Sequence, residues 1–283
     1  MSNKRRTLRQ LAVVNAWFDP IPEATEGRYS FHMDVAFQGE RLGGGDGDPV
    51  RFRVKLKRCE VVVVLPRSEQ GLVIDPRTIA SSGPTMVTLS RETNTSSTLR
   101  GSVEASGSVA GASAKASAGA SGERSTTTKA SAMQTVRVLQ SMQSRSAEGH
   151  PCWVITRADS QVGLEGTLWD PHSEPRFHIL DRRPKPVRDQ EERTGLHPTV
   201  TVEIRCKRED LEITDIALTD PEKNTRLPFG NGHKKRLKAA EAFIKHQLQL
   251  ERLRVGDIHE IFSELVVGDM LVSLVDDVAV SQH

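Results

Sequence analysis

The sequence is poor in aromatic residues and in cysteine, and each shortage excludes a class of protein. Aromatic side chains make up 4% of the 283 residues, and none occurs between Phe52 and Trp153. A stacking platform for nucleic-acid bases is therefore not expected. The three cysteines, Cys59, Cys152 and Cys206, are odd in number and far apart. This pattern argues against a disulfide framework or a cysteine-rich zinc module, and it predicts a reducing, cytoplasmic environment.

Long apolar runs and an excess of one charge are also absent. The longest apolar run, residues 61–65, ends at Pro66, whereas a membrane-spanning helix needs about 20 apolar residues. The 39 Lys and Arg nearly balance the 37 Asp and Glu, which leaves a formal net charge of +2. Such a balance argues against nucleic acid as a partner. The length is sufficient to bury a hydrophobic core without disulfide bonds.

The sequence motifs of enzymes and cofactor sites are missing as well. There is no Walker loop, no dinucleotide-binding glycine fingerprint and no Gly-x-Ser-x-Gly elbow. His150 would share a face with Cys152 in a strand, but no third group is placed to orient the pair. His172, Glu174 and His178 lack the spacing that puts two metal ligands on one face. We therefore predict no enzyme activity, no catalytic residue, no cofactor and no metal site, and a hydrolase without a recognisable motif is the third hypothesis.

Alternating apolar residues predict a mainly β fold. Residues 29–37 and 50–56 alternate apolar with polar positions, which is typical of half-buried strands. Residues 61–65 form a continuous run of valines and a leucine, and we expect them at the buried centre of the sheet. The pattern predicts an antiparallel, sandwich-like β domain over residues 1–182, with an insertion at 93–131.

The remaining third of the sequence is expected to contain a linker, a hairpin and helices. Residues 183–198 are charged and contain prolines, which favours an extended linker, and two alternating runs within 199–228 indicate a β-hairpin that completes the sheet. In residues 229–283 the apolar spacing changes to three and four residues, which predicts a C-terminal helical hairpin.

Charge is segregated within this predicted helical hairpin. Residues 234–254 hold seven Lys or Arg against two Glu, whereas residues 255–283 hold six Asp or Glu and no Lys or Arg. We expect the acidic helix to neutralise the basic one, including the basic cluster Lys234, Lys235 and Arg236. The alternative is that this basic cluster binds an anionic partner.

The insertion has the most specific pattern in the sequence. From residue 99 to residue 109 every second side chain is small or apolar, and after Gly111 the phase inverts. An inversion across a turn at Gly111 and Ala112 keeps one face of a hairpin apolar on both strands. Each arm has about ten residues, the length of a tilted transmembrane strand. The predicted membrane-facing residues are Val103, Ala105, Val109, Ala114, Ala116 and Ala118, and the predicted polar face consists of Ser102, Glu104, Ser106, Ser108, Lys115 and Ser117.

This pattern resembles the membrane-inserting stem hairpins of β-pore-forming proteins of the aerolysin and haemolysin kind, over about residues 88–136. The resemblance implies a non-enzymatic effector whose hairpin, at about residues 95–128, inserts into a membrane or oligomerises on activation. The sequence lacks the aromatic girdles of such barrels, and tracts rich in Ser, Ala and Gly also form flexible linkers.

Two other hypotheses remain open for the insertion. It is either the low-complexity arm of a cytoplasmic binding or assembly protein, mobile until it orders on a partner, or a small hairpin packed on the sheet. The partners expected are a second copy of the chain on activation, an anionic membrane or another protein. The expected localisation is cytoplasmic, with membrane association after activation.

Overall fold

The computed structural model describes residues 5–8, 11–21, 27–65, 71–80, 84–96, 127–158, 163–170, 174–195, 197–219 and 232–274. It is mainly β, with several antiparallel sheets, which confirms the predicted fold class at that level. The strands, in chain order, are β1 Arg5–Thr7, β2 Ala12–Pro20, β3 Arg28–Phe37, β4 Glu40–Gly43, β5 Val50–Leu56, β6 Cys59–Val64, β7 Leu72–Ile74, β8 Pro84–Ser96, β9 Thr127–Arg145, β10 Pro151–Arg157, β11 Gly166–Leu168, β12 Phe177–Asp181, β13 Thr199–Lys207, β14 Leu211–Leu218 and β15 Glu264–Ser273. The helices of the described residues are α1 Lys185–Thr194 and α2 Gly232–Leu250.

The strands form three sheets. The largest has seven strands in the order β1-β15-β13-β6-β10-β9-β8. The second has the order β11-β3-β12-β7, with β2 paired along β3, and the third has the order β14-β5-β4. Strand β6 lies at the centre of the largest sheet, and its residues Val61, Val62 and Val63 are fully buried. This confirms the central position predicted for residues 61–65.

Aromatic residues connect the sheets through a common core. Trp153 of β10 stacks on Phe177 of β12, with ring centroids 6.5 Å apart, and Phe177 stacks on Phe31 of β3 at 4.6 Å. The seven-stranded and five-stranded sheets therefore contact each other through these buried rings. On the three-stranded sheet, Phe52 of β5 meets Phe243 of α2 edge to face at 5.9 Å. Seven of the eleven aromatic residues that the structure describes are buried in the core, whereas Phe262 is exposed.

The chain forms two compact units, which are described separately. One consists of Met1–Val87 together with Arg137–His283, and the other is Thr88–Val136. Strands β8 and β9 each contribute residues to both units. Of the predicted insertion 93–131, residues 93–96 belong to β8 and residues 127–131 to β9, while the rest lies outside the described residues.

The predicted extended linker at residues 183–198 is wrong, because this segment contains helix α1. Pro186 lies in the first turn, where a missing N–H is tolerated since those donors have no partner within the helix. Gly195 ends the helix in the left-handed conformation, with a φ of 67°. An ion pair of 2.7 Å between Arg183 and Glu191 then connects α1 to the end of β12.

The two strands predicted within 199–228 are present, but they do not form a hairpin. Strand β13 pairs with β6 and β15 in the seven-stranded sheet, whereas β14 pairs with β5 in the three-stranded sheet. A single 3-10 turn at Arg208–Asp210 separates them and does not reverse the chain. Beside this turn, Lys57 N donates to Asp210 O at 2.7 Å. The chain therefore passes from one sheet into the next alongside β6 and β5.

Only the first half of the predicted C-terminal helical hairpin is helical. Helix α2 agrees with the prediction, but residues 264–273 form strand β15, so the helical hairpin is wrong. Asp257 caps a single turn, in which its Oδ1 accepts a hydrogen bond from His259 N at 3.0 Å and its backbone oxygen accepts one from Glu260 N at 2.9 Å. The turn does not extend into a helix, because the apolar residues that follow pair with β13 and β1 on either side.

Candidate functional site

The strands that border the predicted hairpin are long neighbours in one sheet. Strand β9 has 19 residues, and its pairing with β10 covers only Leu139 to Arg145. It continues for 12 residues before Leu139, from Thr127 to Val138. Strand β8, its other neighbour, has 13 residues. Strands of globular proteins average about 5–6 residues. The two strands on either side of the insertion are therefore more than twice the usual length.

The hairpin faces predicted from the sequence lie outside the described residues, so both faces stay predictions. This holds for the apolar set Val103, Ala105, Val109, Ala114, Ala116 and Ala118 and for the polar set Ser102, Glu104, Ser106, Ser108, Lys115 and Ser117.

The basic cluster lies in the first turns of α2. Lys234 and Lys235 are exposed and Arg236 is half-buried, while the opposite face of α2 packs on β5 and β14 through its apolar side chains. The expectation that an acidic helix neutralises this cluster is wrong, since the following acidic segment forms a turn and β15. Within the described part of the chain, neither Lys234 nor Lys235 forms an ion pair. The buried residues of α2 are Ala240, Glu241, Phe243, Ile244 and Leu248.

A buried ion pair joins α2 to the 3-10 turn. Arg208 donates to Glu241 Oε1 through Nε at 3.0 Å and Nη2 at 2.7 Å, and its Nη1 donates to Leu211 O at 3.0 Å. The other carboxylate oxygen of Glu241 lies 3.0 Å from His259 Nδ1. The side chains of Arg208 and Glu241 are only 11% and 9% exposed. This network neutralises the one buried carboxylate of α2 and fixes the helix to the turn.

A second network surrounds Arg205 of β13. Its Nε donates to Glu203 at 2.7 Å and its Nη1 donates to Glu148 at 2.9 Å, and Glu203 also accepts from Arg254 at 2.9 Å. Ser146 donates to the same oxygen of Glu148 at 2.8 Å. The hydrogen bond from Ser146 and that from Arg205 lower the pKa of Glu148 from 4.5 to about 2. The network ties the turn between β9 and β10 to β13, and Glu264 adds a third carboxylate 3.8 Å from both arginines.

The His150–Cys152 pair has the surroundings of a structural cysteine. Cys152 is buried, and burial raises the pKa of its thiol above the ordinary value of 9.0. A thiol with a raised pKa is a poor nucleophile near neutral pH. Burial also raises the pKa of Cys59 and of Cys206. Among the described residues, no group of three or more His, Cys, Asp or Glu side chains could hold a metal ion.

Neither of the buried arginines Arg205 and Arg208 was singled out from the sequence. Arg205 and Arg208 follow an alternating strand in a charged stretch, where exposed side chains are the usual expectation. The one signal was the density of charge from Glu203 to Asp210, where six of eight residues are charged. Glu148, a partner of Arg205, is 57 residues away in the chain, and Glu241, the partner of Arg208, is 33 residues away, so no local pattern could have connected these pairs.

No helix in the described ranges is long and apolar enough to cross a membrane. No protein-family model matches the sequence, and none of the curated proteins is significantly similar to it.

Proposed function

We propose that this protein is a non-enzymatic effector whose amphipathic segment, at about residues 95–128, inserts into a membrane as a β-hairpin or oligomerises on activation. Its apolar side would contact lipid and its Ser-rich side would line water. The alternative, a cytoplasmic binding or assembly protein with an arm that orders on a partner, is an outcome of the test below.

The observation that carries the proposal is the strand pair β8 and β9. They are neighbours in the seven-stranded sheet and end, towards the insertion, at Ser96 and Thr127. The period-two pattern between them begins within a few residues of each strand. A segment that continues two neighbouring strands needs no new nucleation of strand pairing, which favours its extension into a hairpin.

The order of the large sheet supports oligomerisation. Among the described strands, β8 has β9 as its single neighbour and ends the sheet. An unpaired strand edge presents N–H and C=O groups that can pair with a strand of another chain. Addition of β8 of one copy to a strand of a second copy would place successive insertions side by side, as a barrel requires.

The test is release of a trapped dye from anionic vesicles of phosphatidylcholine and phosphatidylglycerol, at neutral and mildly acidic pH. We expect the native protein to release dye and a variant with residues 95–128 replaced by a short Gly-Ser linker to be inactive. A matched control keeps the composition of the segment but exchanges neighbouring Ser and Ala residues so that the period of two is lost.

Loss of release in both variants supports the hairpin. Equal release by the native and the rearranged segment would contradict it, because composition without pattern would then be sufficient. A third outcome is that the native protein releases no dye while the variant with the rearranged segment still binds a protein partner. That result would favour the binding protein with an arm.

A further inference from the structure

A groove of about 240 Å³ lies on the outward face of the five-stranded sheet, where β3, β12 and β7 run side by side. The register places Leu180 opposite both Arg28 and Val73, so these three side chains point to the same face. Arg182 and His178, each two residues from Leu180, also line the groove, and Arg77 borders it from the turn after β7.

Three arginines converge in this groove without a carboxylate partner among the described residues. Arg28, Arg77 and Arg182 are exposed and line the same space. The acidic residue of the lining is Asp75, whose Oδ1 accepts a hydrogen bond from Arg77 N at 3.0 Å. Three arginines against one aspartate leave a formal charge of +2 among the lining residues. Like charges gathered in a concave site repel one another until an anion binds.

The backbone that carries these arginines is held in place. Asp75 N donates to His178 O at 3.0 Å, and Thr78 Oγ1 accepts a hydrogen bond from His178 N at 2.8 Å. The turn that carries Arg77 is therefore fixed to β12. Arg182 N donates to Gly71 O at 2.8 Å and fixes the other end of β7 in the same way. Because the backbone is already fixed, ligand binding has to order only the side chains of the site.

We propose that this groove binds a phosphomonoester. A phosphomonoester carries a charge of roughly −1.5 to −2 at pH 7, which matches the formal charge of the lining. Guanidinium groups bind phosphate oxygens through paired N–H donors, a geometry that lysine does not offer. The apolar floor of Val73 and Leu180 suits the carbon skeleton next to the phosphate, and the volume admits one small group and not a polymer. The inference rests on the geometry of this sheet and not on the proposed membrane insertion.

The phosphomonoester has two sources, a lipid headgroup and a soluble metabolite, and the experiment separates them. Calorimetric titration of the full chain uses sn-glycerol 3-phosphate as the soluble probe and phosphatidylcholine vesicles with phosphatidic acid as the lipid probe. Vesicles with phosphatidylserine, which is anionic but has no phosphomonoester, are the reference. Binding of both probes would show that the phosphate group is sufficient for recognition. Binding of the phosphatidic acid vesicles alone would show that the ligand is the lipid headgroup.

The decisive variant is Arg28→Gln/Arg77→Gln/Arg182→Gln, the groove variant. Its matched control is Arg41→Gln/Arg51→Gln/Arg252→Gln, which removes the same charge from exposed positions outside the groove. We expect the groove variant to lose at least tenfold in affinity, since several charge-assisted hydrogen bonds are removed. The control variant should bind within about twofold of the native protein. Replacement of the three groove arginines by lysine should weaken binding although the charge is kept.

If neither glycerol 3-phosphate nor the phosphatidic acid vesicles bind, the proposal is overturned. Equal weakening in the groove variant and the control variant would also overturn it, because attraction by general charge would then explain the binding. Circular dichroism and thermal unfolding of each variant check that the exposed substitutions leave the fold intact.

Discussion

Two buried arginines, three residues apart in the chain, each pair with a carboxylate from a distant part of the chain. Arg205 is paired with Glu203 and Glu148, and Arg208 is paired with Glu241. A buried charge without its partner is far less stable than a buried pair. Both arginines lie where β13 passes from one sheet towards the next, so this crossing should be sensitive to single substitutions.

The pair Arg208–Glu241 allows a direct test of that sensitivity. Glu241→Ala should lower the free energy of unfolding by about 3–5 kcal/mol, because the Arg208 guanidinium would remain buried without its carboxylate. The measurement is urea unfolding followed by circular dichroism. The double variant Arg208→Met/Glu241→Leu should recover most of the loss, since it removes both charges and keeps apolar volume. A double variant as unstable as Glu241→Ala would show that the pair is not the cause.

Glu148 predicts a pH dependence of stability. Its pKa is lowered to about 2 in the folded protein from an ordinary value of 4.5, so the folded state favours the ionised carboxylate. The resulting stabilisation is complete above pH 4.5 and decreases as the pH falls towards 2. The difference in free energy of unfolding between the native protein and Glu148→Gln should therefore be larger at pH 6 than at pH 3. A difference that is constant between these pH values would contradict the role of the Ser146 and Arg205 hydrogen bonds.

At the scale of elements, the proposed hairpin has two faces that should respond differently to charge. A step of one residue along a strand moves a side chain to the other face. Substitutions on one face of the hairpin therefore serve as controls for the same substitutions on the other face. Under the membrane hypothesis, Val103 and Val109 contact lipid while Ser106 and Ser117 line water.

Arginine substitutions test these faces in the dye-release assay. Val103→Arg and Val109→Arg should abolish release, because a cation on the lipid face near the midplane costs about 2–4 kcal/mol. Ser106→Arg and Ser117→Arg should retain release and shift ion selectivity towards anions, since they line the water-filled side. Equal tolerance of all four substitutions, in an assay where the native protein is active, would remove the barrel hypothesis.

At the scale of the whole molecule, the described core does not depend on the proposed hairpin. The aromatic contacts among Phe31, Trp153 and Phe177, and that of Phe52 with Phe243, lie in the unit formed by Met1–Val87 and Arg137–His283. This unit contains the central strand β6 and both helices.

Deletion of residues 95–128 should therefore leave that unit folded. We expect a cooperative thermal transition within about 4 °C of the native midpoint, corresponding to a change of no more than about 1–2 kcal/mol. Differential scanning calorimetry measures it, and the result also validates the deletion variant used in the dye-release assay. Loss of the cooperative transition would mean that the segment stabilises the resting fold, as the hypothesis of a hairpin packed on the sheet requires.

The sequence by itself determined several of the strands, their buried faces and helix α2. Alternation located β3 and β5, the valine run located the central strand β6, and spacing of three and four located α2. These features depend on side chains that are neighbours along the chain, because the periods of a strand and a helix are local properties. The hairpin pattern of the insertion is of the same kind, and it stays a prediction.

Only the tertiary structure decided which elements become neighbours. Period two cannot distinguish a hairpin of β13 with β14 from the observed pairing of each with a different strand, because both arrangements bury the same faces. In the same way, apolar residues after Asp257 suit a helix or a strand until β1 and β13 provide hydrogen-bond partners. The groove of Arg28, Arg77 and Arg182 joins residues far apart in the chain through the register of three strands. The packing of the whole chain decides which distant strands pair, and a local sequence pattern does not determine this.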